Sequence, residues 1–275
     1  MDLRRSVKTV LGWAAGVSDR YVTDLRSRAV IVAFHRIDSS VADDPIGCAP
    51  ERFERFCRFF GRHFQVVPLS RLVADYAAGR DVGGRLAITF DDGYANNFET
   101  AAPVLRRYGL PATFFVTTGW MGTRTVAPWD EQLPVRFEWM NWDQLRGLVS
   151  QGFDIGSHTH THIDLATSES GAIREELERS KQALRQELGV STKLFAYPFG
   201  DPCNITDSSR RLVKEAGFDC CLSCHGGVND AASDPYRLNR IPIGAWCTSP
   251  GQFGFELLLA ERAATRGRPS TQAAA

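Results

Sequence analysis

The chain alternates short, wholly apolar runs with segments whose apolar residues recur every three or four positions. The first run, Ala29-Val30-Ile31-Val32-Ala33-Phe34, reads as a buried strand and stops at His35-Arg36. After a polar loop over 37–49, Pro50-Glu51-Arg52 opens a helix whose Phe53, Phe56, Cys57 and Phe60 share one face. A short strand from Gln65 to Pro68 and a helix from Ser70 to Ala78 lead to a second buried run, Leu86-Ala87-Ile88-Thr89-Phe90, which ends in Asp91-Asp92-Gly93. Pro103 marks an early helical position, that helix closes at Tyr108-Gly109, and Ala112 to Thr118 is β-rich. Residues 119–140 form a long loop rich in tryptophan, the kind that carries function in a compact domain. A helix over Trp142 to Val149 and a strand over Phe153 to Gly156 follow, the latter running into Ser157-His158-Thr159-His160-Thr161-His162. Ile173, Leu177, Leu184 and Leu188 line one face of a helix that Gly189 closes. The remainder predicts a strand over Lys193 to Tyr197 ending at Pro198-Phe199-Gly200, a helix near 208–216, a strand over Phe218 to Leu222 and a last strand over Tyr236 to Ile243.

Strands alternating with helices predict an α/β fold with mainly parallel strands, as an open sheet or a barrel. At 275 residues the chain fits a single large domain. The expected organisation is an N-terminal segment over 1–28, a body over 29–250, and a C-terminal helix with a disordered tail over 251–275.

Charge narrows the partners. Lys plus Arg and Asp plus Glu both number 32, and no basic run stands out, so nucleic acid is excluded as the main partner. Seven cysteines form no even framework, which points to free thiols and makes a cytoplasmic location the expectation. At the N-terminus, Arg4, Arg5 and Lys8 precede the apolar run Val10 to Val17, too short for the roughly 20 residues of a bilayer span. It resembles a weak targeting core without a clean cleavage site, so an amphipathic helix against a membrane surface or the domain body is expected, with secretion or membrane association as the alternative.

The candidate chemistry gathers at strand ends, where α/β folds place their sites. His35, Asp91-Asp92, His158 with His162, and Pro198-Phe199-Gly200 all follow predicted strands. Two adjacent carboxylates after a buried strand repel unless a cation or a shared proton separates them, whereas a polar turn needs only one. His158 and His162 stand four residues apart, the spacing that sets two imidazoles on one side of a helical turn. Two His and one Asp leave a fourth tetrahedral position open, as a catalytic zinc site does, while Co²⁺ or Ni²⁺ compete on affinity. His160, between them, is expected to point elsewhere, toward substrate.

Thr89-Phe90-Asp91-Asp92-Gly93, His158-Thr159-x-x-His162 and Tyr197-Pro198-Phe199-Gly200, in this order, resemble the first three motifs of the polysaccharide deacetylases, carbohydrate esterase family four. The resemblance covers roughly residues 29–245 and implies a distorted (β/α) barrel. It also implies that Asp92, His158 and His162 hold the metal, Asp91 is the general base, and the Phe199 backbone N–H helps hold an oxyanion. Two positions depart from the pattern. Ala196 stands where the family has an arginine that orients the base, with Arg237 or Arg240 as candidate replacements, and no Leu-x-His motif follows near the C-terminus. His35, in Phe34-His35-Arg36-Ile37, resembles the histidine that permuted, exopolysaccharide-acting members carry near the N-terminus, which implies the role of general acid.

The resemblance, taken with these residues, implies a metal-dependent hydrolase that removes N-acetyl groups from amino sugars of a polysaccharide, oligosaccharide or glycolipid. A metalloamidase acting on non-sugar C–N bonds and a non-catalytic glycan-binding relative are the alternatives. Two side features complete the inventory. Cys221-Leu222-Ser223-Cys224-His225 fits a haem-attachment or redox pattern but sits in a strand-like run, and one of Trp120, Trp129, Trp139 and Trp142 is expected to face the site.

Overall fold

The computed structural model describes residues 7–11 and 25–266. Its centre is β1 (Arg28–Phe34), buried along its whole length as its unbroken apolar run requires. On one side β1 pairs in parallel with β3 (Arg85–Phe90), and β3 pairs in turn with β2 (Gln65–Val66) and β4 (Thr113–Val116). The ladder continues to β5 (Asp154–Ser157). On the other side β1 pairs in parallel with β8 (Leu238–Pro242), which pairs with β6 (Leu222–Gly226). The short β7 (Asn229–Asp230), unforeseen from the sequence, adds an antiparallel contact to β1. The two outer strands, β5 and β6, are joined through Phe195 and Ala196, which bridge in parallel to Ser157 and Leu222 respectively. Backbone hydrogen bonds Ser157 N to Leu194 O, Ala196 N to Ser157 O and Tyr197 N to Leu222 O complete the ring. The result is the distorted (β/α) barrel.

Alternation along the strands sorts side chains to two sides. Val30, Val32, Phe34, Leu86, Ile88, Phe90, Phe114 and Val116 join the larger apolar cluster with the surrounding helices. These helices include α1 (Pro50–His63), α3 (Ala102–Arg107), α4 (Trp142–Ser150) and α7 (Pro250–Arg266), with Phe253 of α7 packed on Phe56 and Phe60 of α1. The other side is lined by Ala29, Ile31, Ala87, Phe115, Ala196 and Leu238, which meet Leu69, Leu72, Val73 and Tyr76 of α2 (Leu69–Ala77). Helix α2 lies at the N-terminal ends of the strands: Asp75 pairs with Arg85, the first residue of β3, and Ser70 N donates to Asp154, the first of β5. Each large side chain so buried contributes about 1.5–3 kcal/mol. Gly156 is required on the inner side, since a Cβ there would lie 2.3 Å from the Phe115 ring.

Three element expectations shift. The run from Phe218 is buried under α5 (Ser170–Leu188) and α6 (Asp207–Glu215) rather than paired, and the ladder of β6 starts only at Leu222. An apolar approach to a strand has the same composition as the strand, so pattern alone misplaced it by four residues. The segment Lys193 to Tyr197 contributes two bridges, because Pro198 halts the pairing. The last strand begins at Leu238 after a 3₁₀ turn over Pro235–Arg237.

Residues 7–11 are helical, and Lys8 pairs with Glu256 of α7. Residues 1–6 and 12–24 of the expected N-terminal segment and the tail beyond 266 lie outside the described residues. Among those described, no helix is long and apolar enough to cross a membrane.

Candidate metal centre and catalytic cleft

The C-terminal ends of the strands surround a cleft of about 460 Å³ lined by His35, Asp91, Asp92, His158, His162 and Phe199. All six sequence-selected residues therefore converge.

The reach of each comes from local backbone. Asp91 directly follows β3, its N–H donating to Phe34 O, while Asp92 takes a left-handed conformation (φ 72°). That turn, and not simple strand alternation, aims the two carboxylates in different directions. The spacing of His158 and His162 works by a similar device. Residues 158–162 form no helical turn; Thr159 and His162 are left-handed (φ 65° and 62°), and this folds the two imidazoles together. Such backbone is costly for residues with a Cβ and persists where surroundings hold it. Here Glu176 of α5, a buried residue the sequence reading missed, does so. Its Oε2 accepts from His160 N at 2.9 Å and Thr161 N at 2.7 Å, and its Oε1 from Thr161 Oγ1 at 2.7 Å. His160 itself turns to Thr118 (Nδ1 to Oγ1, 3.0 Å) and is not part of the cleft lining, which corrects the expectation that it faces substrate.

Asp92 Oδ1 lies 3.4 Å from Nε2 of both His158 and His162. Zn–N and Zn–O bonds of about 2.0–2.1 Å in a tetrahedron put ligand atoms about 3.3–3.4 Å apart, so both separations from Asp92 suit such an ion. His158 Nδ1 lies 2.9 Å from Ala196 O; a carbonyl only accepts, so Nδ1 carries the proton and Nε2 presents a lone pair. Burial works against the charged form of Asp92, but the adjoining His158 and His162 imidazoles outweigh it and hold the carboxyl well below the usual range. Burial also pushes His162 down, toward the neutral ligand form, against the opposing pull of Asp92. Charge, tautomer and spacing thus fit a divalent cation held by Asp92, His158 and His162.

Asp91 meets a different partner. Arg240 from β8, fully buried, donates Nη1 to Asp91 Oδ1 at 2.7 Å and Nη2 to Oδ2 at 2.6 Å, a fork-on-carboxylate pair. Its Nη1 also reaches Thr89 Oγ1 at 3.1 Å and its Nε the Ser223 carbonyl. Of the two arginines considered as replacements at the position of Ala196, it is Arg240, while Arg237 pairs with Asp207 on the surface. Burial disfavours ionised Asp91, yet Arg240, with His158 and His35, overrides it and keeps the carboxyl below the ordinary range. His35 Nε2 stands 4.0 Å from Asp91 Oδ2 on the cleft side.

The walls have their own anchor. Arg36, buried beside His35, donates Nε to Asp44 Oδ2 at 2.9 Å and Nη2 to Asp44 Oδ1 at 2.8 Å, while Nη1 reaches Asp130 and Tyr94. Tyr94 Oη donates to Asp130 Oδ2 at 2.8 Å and accepts from Trp129 Nε1 at 2.9 Å. This network ties loops 37–49 and 119–140 into one wall. Trp129 is the tryptophan lining the cleft, and Trp120 stacks on His162 (centroids 5.3 Å). Phe199, left-handed (φ 61°) and 49% exposed, stands at the rim 4.8 Å from the His162 ring. Gly200 beside it must be glycine, because its φ is +71° and a Cβ would sit 2.5 Å from Cys224 N. Cys221 packs with Phe195 and Tyr197 whereas Cys224 lines the cleft, so the Cys-x-x-Cys pair is split between two environments.

The sequence profile of the family described as polysaccharide deacetylase matches residues 79–221, just over half of the chain. The poly-beta-1,6-N-acetyl-D-glucosamine N-deacetylase of Staphylococcus aureus (strain MRSA252) is 26% identical over 165 residues, 57% of this chain and 53% of that protein. The chain spans about half the length of the curated relatives it matches. Among solved structures, IcaB from Ammonifex degensii superposes with a TM-score of 0.70 at 23% identity, covering 86% of this chain and 97% of that one. The Streptococcus pyogenes deacetylase PplD, in complex with acetate, gives 0.67 at 20% identity over 84% and 96%. These likenesses bear on the fold.

Proposed function

The chain belongs to the polysaccharide deacetylase family, and on that basis we propose that it hydrolyses N-acetyl groups from the amino sugars of a polysaccharide, oligosaccharide or glycolipid. The observation that carries the reading is the division of the Asp91-Asp92 pair: Asp92 is shared by two imidazoles at 3.4 Å, and Asp91 is held ionised by Arg240 at the cleft. We assign the metal as zinc on the chemistry of the donor set, with Co²⁺ or Ni²⁺ as competitors. Bound at Asp92, His158 and His162, such an ion supplies a Lewis acid that acidifies water and polarises a carbonyl.

The remaining work falls to the chain. Asp91, ionised and fixed by Arg240, takes the proton of the water that attacks the amide carbon. The developing oxyanion is met by the Phe199 backbone N–H at the rim. His35, across from Asp91, delivers a proton to the departing amine, so that the C–N bond breaks to acetate and a free amino sugar. Trp129 and Phe199 offer apolar faces for a sugar ring beside these groups. The name of the staphylococcal relative makes β-1,6-linked N-acetylglucosamine oligomers the first substrate to offer. For the N-terminal segment, the Lys8–Glu256 pair supports a helix resting on the domain body.

The test is acetate release from those oligomers by zinc-loaded protein, with Asp91→Asn alongside. Activity that disappears in Asp91→Asn while zinc stays bound sustains the proposal. Stoichiometric zinc without acetate from any N-acetylated glycan overturns it in favour of non-sugar amides or glycan binding.

A further inference from the structure

Cys224 lies in the cleft and takes no part in the reaction just described. Its thiol comes together with His35 and Asp91: one sulfur, one nitrogen and one oxygen ligand atom, all within 4.8 Å of one another. The three residues come from the ends of β1 and β3 and from β6, and none of them belongs to the Asp92, His158 and His162 group. We propose that His35, Asp91 and Cys224 form a second, weaker cation site that takes a thiophilic divalent metal such as Zn²⁺ or Cd²⁺ and, when filled, blocks the cleft.

Three observations carry this. The backbone that carries the thiol is fixed, since Cys224 N donates to Gly200 O at 2.8 Å and Gly200 leaves no room for a Cβ against it. The charged groups facing the thiol are Asp91, Asp92 and Asp201 against the single Arg240, so Asp91 and Asp201 remain to face a cation once Asp92 has taken the first. Asp91 also retains capacity: each carboxylate oxygen has two lone-pair directions, and Arg240 occupies one on each. The donor set itself selects the metal, because a thiolate with imidazole and carboxylate suits Zn²⁺ or Cd²⁺ and not Mg²⁺ or Ca²⁺.

The same geometry ranks the site second. His35 Nε2 stands 4.0 Å from Asp91 Oδ2, against the 3.4 Å of the Asp92 group, so side chains must close by roughly 0.6 Å to grip an ion of tetrahedral size. The Arg240 guanidinium and an ion already in the first site both repel the newcomer. Filling therefore follows the first equivalent. As the sulfur–metal bond forms, the thiol proton passes to solvent. His35 and Asp91 are then withdrawn from proton transfer. That inhibitory consequence rests on the proposed hydrolase function; the binding does not.

The experiment is a titration of the full chain, loaded with one equivalent of zinc, with Cd²⁺ and separately with excess Zn²⁺. Bound metal is followed by equilibrium dialysis, and Cd²⁺ also by thiolate-to-metal absorption in the ultraviolet. Expected is a second equivalent accompanied by that absorption and by loss of acetate release. Cys224→Ser and Cys224→Ala should keep the first equivalent and the one-equivalent activity, and lose the second equivalent, its absorption and the inhibition. Cys203→Ser, at an exposed thiol, should behave as wild type. The proposal is overturned if no second equivalent binds up to millimolar metal, or if it binds equally well in both Cys224 variants. A protein that binds the second equivalent but releases no acetate even at one equivalent of zinc would sink the hydrolase reading and leave the second site standing.

Discussion

The two ends of the barrel each bury a carboxylate against arginine, and they put it to different use. At the N-terminal end Asp75 of α2 faces three guanidiniums: Arg71 at 3.1 Å, Arg80 at 2.5 Å and Arg85. At the C-terminal end Asp91 faces one, Arg240, and the side turned away from it opens on a cleft with His35 at 4.0 Å. Both carboxylates are buried. Asp75 is enclosed by cations that themselves reach solvent, so its charge is spent on fastening α2 across the strand ends. Asp91 is paired only enough to stay ionised, and its remaining lone pairs face an opening large enough for a substrate. Burial and an arginine partner alone therefore do not mark a carboxylate for chemistry; the unsaturated face toward a cleft is what makes Asp91, and not Asp75, the proposed base.

Exchanging each carboxylate for its amide breaks the comparison most directly. Asp91→Asn should lower turnover by about 10²–10⁴-fold with zinc content unchanged. Asp75→Asn should leave turnover within a factor of about two and cost about 1.5–3 kcal/mol of stability, the worth of hydrogen bonds to a charged group. Steady-state kinetics beside urea unfolding reads both, and equal activity loss in the two variants would refute the contrast.

Removing the cation comes next. Arg240→Met strands a buried carboxylate and should cost about 3–5 kcal/mol together with most of the turnover. The amide variant Asp91→Asn, in the Arg240→Met background, should regain part of that stability and no activity.

Arg36 sharpens the comparison because its two carboxylates, Asp44 and Asp130, also lie at the cleft end yet hold walls. Arg36→Lys keeps the charge and loses the fork to Asp44, so KM for the glycan should rise several-fold while turnover changes less. A fall in turnover with unchanged KM would move Arg36 from the wall to the chemistry. A smaller effect is expected from Gly156→Ala, which pushes a methyl into the Phe115 ring and should cost about 1–3 kcal/mol by thermal unfolding.

The least disruptive measurement counts thiols. Burial pushes Cys220, Cys224 and Cys247 up to about 12, so they stay protonated and unreactive at pH 8, and Cys203 is exposed. One thiol should react rapidly in the native protein and all seven after unfolding. Rapid labelling of Cys224 would mean that its thiol ionises in the cleft more readily than its burial allows.

What the sequence determined by itself was the set of strands and their endings. The unbroken apolar run of β1 and the Leu86 to Phe90 run each have one physical reading, a strand buried on both faces, and the titratable residues that interrupt them are conspicuous for that reason. Asp91, Asp92, His158, His162 and Phe199 were legible because each lies in a short local pattern, and all fall within the stretch matched by the family profile. Tertiary structure alone decided the partners. Arg240 stands 149 residues from Asp91, outside that stretch, and only closure of the barrel through β8 brings the two into contact. Glu176, Asp44 and Asp130 carry no local signal, because a lone carboxylate on a helix or loop looks alike whether it faces solvent or clamps a turn. The conformations of Asp92, Thr159 and His162 were also out of reach, since residues with a Cβ adopt positive φ only where the folded surroundings hold them.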